Sequence, residues 1–451
     1  MTTIGAIQQL VTKNQGLVDR RIFSDKDIYQ QELEQVFGRC WLFLGHESQI
    51  LKPNDFVATY MAEDPVLLTR DSKDKLHAFL NMCRHRGNRI CRADFGNAPS
   101  FMCTYHGWTF ATDGKLVGVP GYKEAYFEEL DRSQWGLVEV AHITSYKGLV
   151  FGTWDASAPS LVDYLGNMAW YLDMTIDGRN GGTEVIGGAQ KWVLNTNWKF
   201  PTDNIGGDSY HFGVTHGSVD KLRKDTVFGP MSSHGKGSAL SQSKPPETAS
   251  GAKSWQASPG NGHGVVSIGG SGYGIGRRPS DPLPGEIKAR YYVQNLDEFR
   301  RRLGNIRADN AGSSGFFSIF PNFSWNGTAR TWHPRGPMKT EAWLYLMVDK
   351  DAPVEVKDAI RKYETRSHGP NGGIEIDDGD NYIACTALSR SLIGRKYLQN
   401  VQLRLGQEVR REEFPGTLVP SPGELNQRDF YEWWAKVMDA PSWDGLIPKS
   451  R

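Results

Sequence analysis

The sequence has little net charge and no long apolar run. Across its 451 residues, 52 Lys and Arg residues oppose 51 Asp and Glu residues, which leaves a net charge of +1. A surface that binds nucleic acid usually carries a clear basic excess, so we expect no nucleic-acid partner. The longest strongly apolar stretch, near residues 342–348, is far too short to span a bilayer, so we expect no membrane partner.

Cysteines are few, and the first residues do not form a secretory signal. Five cysteines, an odd number spread widely, do not make a disulfide framework. The start, MTTIGAIQQLVTKNQ, lacks a basic segment followed by an apolar core. With 39% hydrophobic and 23% charged residues, the composition is that of an ordinary globular protein. We therefore expect a cytoplasmic protein of two or three domains.

The pattern of apolar residues divides the chain into a β-rich part and a mixed part. Short β-type runs separated by turn residues fill residues 41–154. Elsewhere the spacing favours helices at 25–37, 354–365 and 426–438, and strands at GFFSIF, NFSW and EAWLYLMV. Residues 217–275, rich in Gly, Ser, Lys and Pro, are predicted to be a disordered loop or a lid over a site. The fold class predicted is α+β, with a β-rich domain inserted after a short N-terminal segment.

Two cysteines and two histidines form the first candidate metal site. Cys83 and His85 are separated by one residue, Cys103 and His106 by two, and each pair adjoins a glycine-containing turn. Two thiolates and two imidazoles can hold tetrahedral zinc, or a two-iron cluster of the Rieske type, in which two Cys bind one iron and two His the other. Both metals remain open from the spacing alone. Cys91, in the same stretch, has no paired histidine and is interpreted as a buried apolar residue.

A second candidate site lies at GDSYHFGVTH, where His211 and His216 are five residues apart and Asp208 precedes them. Two His and one carboxylate on one face of an iron leave coordination positions open for O₂ beside a substrate. On a regular helix the two rings would lie about 140° apart, so a bend, a π-bulge or a helix end is required. The alternative is a histidine pair packed in the core. The carboxylate must come from elsewhere, and the densest acidic cluster downstream is residues 375–381.

With both sites in order, the chain resembles the large (α) subunit of Rieske non-haem iron ring-hydroxylating dioxygenases. The resemblance rests on CRHRGN, CTYHGW, NWKFPTDN, GDSYH, SIFPNFSW, WHPRGP, IEIDDGDN and DAPSW. It is greatest to the biphenyl, toluene and phenylpropionate branch. It implies an N-terminal segment (1–37) packing with the catalytic domain, a Rieske [2Fe–2S] domain (38–156), and a catalytic mononuclear-iron domain (157–451) with an antiparallel sheet and surrounding helices.

The resemblance also implies roles for individual residues. The [2Fe–2S] cluster would be bound by Cys83, His85, Cys103 and His106. The mononuclear Fe(II) would be bound by His211, His216 and Asp378, with Asp377 and Asp380 as the other choices for the third ligand. Asp208 would link His211 to His106 of an adjacent subunit, orienting both ligands. Asn204 would lie close to the iron without binding it, and the substrate pocket would include Ile205, Phe212, His368 and Ile374.

The activity implied is that of a terminal oxygenase. Electrons from NADH would arrive through a reductase and usually a ferredoxin, and both atoms of O₂ would add in cis to an aromatic hydrocarbon or aromatic acid. The chain carries no nicotinamide or flavin fingerprint, so a separate reductase is expected. A homotrimer is implied, with or without a small β subunit. Two alternatives stay open: a Rieske monooxygenase or demethylase with the same iron sites, and a zinc-stabilised binding module without catalysis.

The sequence departs from the resemblance at two places near the predicted iron. The Gly206-Gly207 pair follows Ile205 and predicts extra backbone freedom there. His368 replaces a position that is commonly Phe, and a buried imidazole needs a polar partner. If His368 faces the pocket, a polar or carboxylated ring becomes more credible than a plain hydrocarbon. Three further aromatic residues are candidate pocket walls or ordinary core: Phe316, Phe317 and Phe320.

Overall fold

The computed structural model describes residues 7–217, 254–268, 284–311 and 316–447. The chain divides into two compact units. One is Phe37–Leu161, and the other combines the residues up to Val36 with those from Val162 onward. None of the helices in the described ranges is long and apolar enough to cross a membrane.

The N-terminal segment forms two short strands and one helix of the larger unit: β1 (Val11–Thr12), β2 (Leu17–Val18) and α1 (Lys26–Glu32). Asp25 caps α1 by accepting hydrogen bonds from the amides of Asp27 and Ile28. The chain then winds as a π-helix over Leu33–Phe37. The predicted helix at 25–37 is confirmed, with its last five residues in the wider winding.

The smaller unit is built from short antiparallel strands in three sheets, with strand orders β6-β5-β4-β7, β10-β9-β8 and β11-β12-β3. The strands are β3 (Leu42–His46), β4 (Asp55–Met61), β5 (Asp64–Arg70), β6 (Leu76–Leu80), β7 (Phe95–Asn97), β8 (Ser100–Met102), β9 (Thr109–Ala111), β10 (Leu116–Gly118), β11 (His142–Tyr146) and β12 (Leu149–Thr153). The first Cys/His pair follows β6 and the second lies between β8 and β9, so both pairs are placed on loops held by strands.

The larger unit contains most of the helices. They are α2 (Leu161–Leu165), α3 (Met168–Ile176), α4 (Lys199–Gly207), α5 (Phe212–Thr215), α6 (Pro284–Gln294), α7 (Leu296–Leu303), α8 (Asn305–Asn310), α9 (Val354–His368), α10 (Gly373–Arg390) and α11 (Leu425–Asp439). The helices predicted at 354–365 and 426–438 are confirmed as α9 and α11, each slightly longer than predicted.

A nine-stranded antiparallel sheet forms the centre of this unit, in the order β14-β20-β19-β18-β17-β16-β15-β24-β23. The strands of the unit are β13 (Thr183–Val185), β14 (Gln190–Leu194), β15 (Trp255–Gly260), β16 (His263–Ile268), β17 (Phe316–Ile319), β18 (Phe323–Asn326), β19 (Ala329–Pro334), β20 (Thr340–Tyr345), β21 (Met347–Asp349), β22 (Gln399–Asn400), β23 (Val409–Arg411) and β24 (Phe414–Pro420). The strands predicted at GFFSIF, NFSW and EAWLYLMV are confirmed as β17, β18 and β20–β21.

One face of this sheet lies under α4. The register pairs Ser318 with Ser324 and Ser324 with Arg330, so these side chains share a face with Trp332 two residues further on. The indole Nε1 of Trp332 donates to Ser324 Oγ at 3.0 Å. Ile205 of α4 packs against Trp332 in a buried cluster. Helix α4 is therefore seated on the middle of the sheet.

The two glycines of α4 allow this close seating. A Cβ on Gly206 would overlap Ser318 Oγ and stand 2.9 Å from Ser318 Cβ, and one on Gly207 would stand 2.7 Å from Asn426 Cβ. Both glycines are buried. The expectation that the pair adds backbone freedom is wrong, because the helix is packed too tightly on both sides for that freedom to be used.

The loop predicted at 217–275 is corrected in part. Residues 254–268 form the antiparallel hairpin of β15 and β16, and β15 also pairs with β24 inside the large sheet. The short strands were missed because the Gly- and Ser-rich segment around them has few periodic apolar positions. Residues 218–253 and 269–275 of that prediction lie outside the described residues.

Candidate metal centres and substrate site

The two Cys/His loops of the smaller unit are built alike. In each, the amide of a glycine four residues after the cysteine donates to the cysteine carbonyl at 2.9 Å: Gly87 to Cys83, and Gly107 to Cys103. Both glycines have a positive φ, +77° and +75°. A side chain there would be strained, so glycine allows each tight turn.

The loops bring the two candidate ligand pairs beside each other. The rings of His85 and His106 are 4.6 Å apart between centroids, and His85 stacks on Trp108 at 4.9 Å. Both cysteines are buried. Burial raises the pKa of the Cys83 thiol, whereas hydrogen bonds from the Tyr105 amide and from Asn88 outweigh burial and lower the pKa of Cys103.

The spacing of these ligands fits two metal ions better than one. Tetrahedral zinc would draw all four ligand atoms to within about 4 Å of one another. Among the residues that the structure describes, only one group brings three such atoms within 4.8 Å, and it is not this one. The buried Nδ1 of His85 has no hydrogen-bond partner in the structure, which leaves its lone pair to a metal. A two-iron cluster, which separates its Cys and His ligands, fits these loops.

The group that does converge is His211, His216 and Asp378. The Nε2 atoms of the two histidines are 3.2 Å apart, and Asp378 Oδ1 is 3.2 Å from the first and 3.3 Å from the second. A metal bound at 2.0–2.2 Å with right angles between ligands would set them about 3 Å apart. The triangle therefore fits a facial two-histidine, one-carboxylate iron site.

Helix ends explain how histidines five residues apart converge. Helix α5 is only four residues long, and His211 and His216 flank it on either side. Of the three routes that the sequence left open, the structure therefore uses the helix end. Burial of Asp378 is outweighed by hydrogen bonds with both histidines, which lower the pKa of its carboxyl to about 2. The site therefore combines an ionised carboxylate with two histidine rings.

Two more polar side chains orient His211. Asp208 Oδ2 lies 3.3 Å from His211 Nδ1, while its Oδ1 accepts hydrogen bonds from the amides of Tyr210 and His211. Asn204 Nδ2 lies 3.3 Å from the same Nδ1. Burial lowers the pKa of His211, but Asp208 and Asp378 outweigh it and raise that pKa to about 10. Asp208 and Asn204 therefore act on the ring edge opposite the converging Nε2.

The three aspartates of the acidic cluster have different positions on α10. Asp378 is buried in the triangle. Asp377 Oδ2 lies 3.7 Å from Nδ1 of His216, on the ring edge opposite the converging Nε2. Asp380 is exposed. Only Asp378 reaches the point where the two Nε2 atoms meet, which favours it over both other choices.

Of the predicted pocket residues, Phe212 lies beside His211, and His368 has a hydrogen-bond partner within the protein. Phe212 is 4.7 Å from the His211 ring and 6.0 Å from Phe316, and both phenylalanines are half-buried. Ile205 and Ile374 are buried on α4 and α10. His368 is also buried, and its Nδ1 lies 2.8 Å from Glu364 Oε2.

Two of the aromatic candidates belong to the core. The side chain of Phe317 lies on the other face of the sheet from that of Phe316, and it stacks on Trp325 with ring centroids 6.1 Å apart. Phe320 is fully buried, 5.5 Å from Phe430. Phe316 is the one of the three that lies beside Phe212.

A buried ionic group near the site was missed in the sequence. Arg330 is fully buried and donates to Glu375 Oε2 at 3.2 Å and to the His368 carbonyl at 3.4 Å. Burial raises the pKa of Glu375 to about 7, although Arg330 opposes it. Glu364 accepts from Lys288 Nζ at 2.8 Å. Strand TARTWHP gave no signal for a buried arginine, because a charged residue in a strand is usually exposed.

Comparison with known proteins decides the family. Residues 163–440 match the ring hydroxylating alpha subunit (catalytic domain), and residues 40–142 match the Rieske [2Fe-2S] domain. The chain belongs to the ring-hydroxylating alpha subunits. As a member of this family it is an oxidoreductase, with a Rieske [2Fe–2S] cluster in one domain and a mononuclear iron in the other. The predicted recognition, fold class, enzyme class and cofactors are confirmed.

Named relatives of this ring-hydroxylating alpha subunit are dioxygenases. The alpha subunit of biphenyl 2,3-dioxygenase from Rhodococcus jostii (strain RHA1) is 38% identical over 452 residues, covering 98% of this chain and 93% of that protein. The alpha subunit of benzene 1,2-dioxygenase from Pseudomonas putida (strain F1 among its designations) is 37% identical over 455 residues, covering 98% and 95%. A structure of naphthalene 1,2-dioxygenase with indole bound in the active site superposes with a TM-score of 0.86 at 32% identity, covering 96% and 95%.

Proposed function

We propose that this alpha subunit is a terminal oxygenase component that adds both atoms of O₂ in cis to an aromatic ring. The observation that carries the proposal is the triangle of His211, His216 and Asp378, beside the half-buried rings of Phe212 and Phe316. The relatives named for biphenyl and benzene support an aromatic substrate. Similarity over 98% of the chain extends that support to both domains.

The residue assignments belong to the same proposal. Cys83, Cys103, His85 and His106 would hold the cluster within a domain of residues 38–156, and the triangle would hold the mononuclear iron within residues 157–451. The N-terminal segment, residues 1–37, would pack with the catalytic domain. This last point is supported by β2, which pairs with β22 of the larger unit. When bound, the cluster supplies single electrons and the mononuclear iron supplies O₂ activation.

The side chains around the triangle would position ligands and exclude water. Asp208 would hold the Nδ1 edge of His211, so that its Nε2 keeps its lone pair for the metal. Asn204 would support the same ring without binding the iron. Phe212 and Phe316 would offer flat apolar surfaces to the substrate ring and keep bulk water from its reacting carbons.

Asp208 would also link neighbouring copies of this chain in a trimer. It is partly exposed, and an ionised carboxylate accepts more than one hydrogen bond. In a trimer it would accept from His106 of a neighbouring copy as well as from His211. A ferredoxin or an NADH-dependent reductase would supply the electrons, and a small β subunit would complete the assembly if one is present. A cytoplasmic location is consistent with NADH as the ultimate donor.

Turnover under labelled oxygen tests the proposed function. The holoenzyme, supplied with electrons and an aromatic hydrocarbon under ¹⁸O₂, should form a cis-dihydrodiol that carries two labelled oxygen atoms. Mass spectrometry of the product measures the label. One labelled atom would indicate a monooxygenase instead. Reduction of the cluster without any oxygenated aromatic product from a broad substrate set would contradict the proposal.

A further inference from the structure

A chain of three hydrogen-bonded polar side chains ends at His368, one of the predicted pocket residues. Lys288 of α6 donates to Glu364 Oε1 at 2.8 Å, and Glu364 Oε2 lies 2.8 Å from Nδ1 of His368. Glu364 and His368 are one helical turn apart on α9, and both are buried. A Cβ on Gly327, which has φ +68°, would stand 3.0 Å from Glu364 Oε2, so glycine makes room for this carboxylate.

The chain fixes where the proton sits on His368. An ionised carboxylate can only accept, so a hydrogen bond between Glu364 and His368 requires the proton on Nδ1. Burial would raise the pKa of Glu364, but Lys288 and His368 outweigh it and lower that pKa to about 2. Burial lowers the pKa of His368, and Arg330 and Lys288 add to this, while Glu364 opposes it. A neutral imidazole with Nδ1–H has a lone pair on Nε2 and is an acceptor there.

The backbone of His368 is hydrogen-bonded to the sheet that lies under α4. Its carbonyl accepts from Arg330, which shares a sheet face with Trp332 under α4. Five residues further along the chain, α10 begins, and this helix carries Asp378. His368 therefore stands where the sheet, α4 and α10 approach one another. Its Nε2 lies on the ring edge turned away from Glu364.

We propose that His368 presents Nε2 as a hydrogen-bond acceptor to the aromatic substrate, and that the enzyme consequently prefers rings bearing a donor such as a hydroxyl or amino group. This inference rests on the proposed function. It keeps the expectation of a polar ring and drops that of a carboxylated ring, because a carboxylate facing a lone pair would be repelled. Glu364 and Lys288 are positioning residues, since they act through the proton on Nδ1.

Matched substrates test the preference. The holoenzyme is given hydroxybiphenyls and methylbiphenyls in the ortho, meta and para series, because hydroxyl and methyl groups are similar in size. In at least one series the hydroxyl compound should be favoured about tenfold or more in kcat/KM, with a lower Kd in direct titration. His368→Phe should bring the two within about twofold. The inference would be overturned if kcat/KM were equal for the hydroxyl and methyl compounds in all three series. It would also be overturned if the corresponding biphenyl carboxylate were preferred.

A second variant separates positioning from packing. In Glu364→Gln the amide oxygen can accept from Lys288 while the amide NH₂ donates to Nδ1, which moves the proton of His368 to Nε2. The preference should then turn from hydroxyl to an acceptor such as methoxy. Glu355→Gln, an exposed change on the same helix, should keep the original preference. Loss of activity in Glu364→Gln without a change in the ratio of Kd values would contradict the positioning role.

Failure of the inference and failure of the proposed function give different results. If diols form from every compound without discrimination, the inference is overturned and the function stands. If the iron content and the cluster signal are intact but no aromatic product forms, the proposed function fails. In that case the titrated Kd values for hydroxyl and methyl compounds still decide whether His368 acts as an acceptor.

Discussion

At the scale of single residues, the side of α10 on which an aspartate lies decides between neighbouring aspartates that the sequence alone cannot rank. Cys83, His85, Cys103 and His106 could be proposed from spacing because their loops are short and local. Which aspartate completes the proposed iron site depends on which side of α10 faces the two histidines. Asp378 is buried between them and Asp380 is exposed. Such a choice requires packing between helices far apart in sequence, which one sequence does not contain.

Replacing Asp378 should remove one iron and leave the cluster. In Asp378→Asn the charged ligand is lost, so metal analysis should fall from about three irons per chain to about two, while acid-labile sulfide stays at about two. Product formation should fall by at least about 100-fold. Asp380→Asn is the control and should retain all three irons. Full iron occupancy in Asp378→Asn would refute the assignment.

Asp208 should affect electron transfer more than the cluster itself. Asp208→Asn keeps an oxygen for the amides of Tyr210 and His211 but loses the charge beside His211 Nδ1. We expect an unchanged EPR signal of the reduced cluster and a 10- to 100-fold slower single turnover. Stopped-flow oxidation of the prereduced enzyme with substrate and O₂ measures this. An unaltered rate would exclude an orienting role.

Glu364 should make stability fall at low pH. Its folded-state pKa of about 2 lies below the unfolded value of 4.5, so its stabilisation is complete above the unfolded pKa and is lost as pH falls towards 2. Below pH 4.5 wild type should lose about 1.4 kcal/mol per pH unit relative to Glu364→Gln. Unfolding of the two proteins at pH 6 and at lower pH measures the difference. A constant difference would contradict the ionised, buried carboxylate.

At the scale of elements, regular patterns were predictable and irregular ones were not. Helices α9 and α11 were both predicted from the spacing of their apolar residues, although only α9 buries a single stripe and α11 is buried along nearly its whole length. The hairpin of β15 and β16 lacks that pattern and owes its place to pairing with β24, a strand about 160 residues away. Helix α5 has only four residues, too short for any periodicity, and the histidine spacing left a bend, a π-bulge and a helix end all open there.

The fit of α4 against the sheet predicts a size limit at Gly206. Gly206→Ala should destabilise the catalytic domain by about 1–3 kcal/mol, because the new methyl group overlaps Ser318. The mononuclear iron should also bind less tightly, since α4 carries Asn204 and leads into Asp208. Thermal unfolding and iron titration measure both effects. Adding Ser318→Gly removes the overlapping side chain and should restore much of the loss; no recovery would refute the steric explanation.

At the scale of the whole molecule, the sequence sufficed for the class of protein because each unit carries its own short motif. The cluster loops lie within Phe37–Leu161 and the iron triangle within the larger unit. Substrate preference could not be predicted from short sequence motifs. His368 was identified, but its partners on α6 and α9 depend on three-dimensional contacts. These contacts are the basis for proposing a ring that bears a hydrogen-bond donor, where the sequence predicted a polar or carboxylated ring.

The central claim is that one chain holds a two-iron cluster and a separate mononuclear iron. The most direct test measures iron, zinc and acid-labile sulfide in anaerobically purified protein, together with EPR after dithionite reduction. We predict about three irons and two sulfides per chain, with the signal of a reduced Rieske cluster. Zinc without sulfide would contradict the claim, because Cys83, His85, Cys103 and His106 would then have no role in electron transfer.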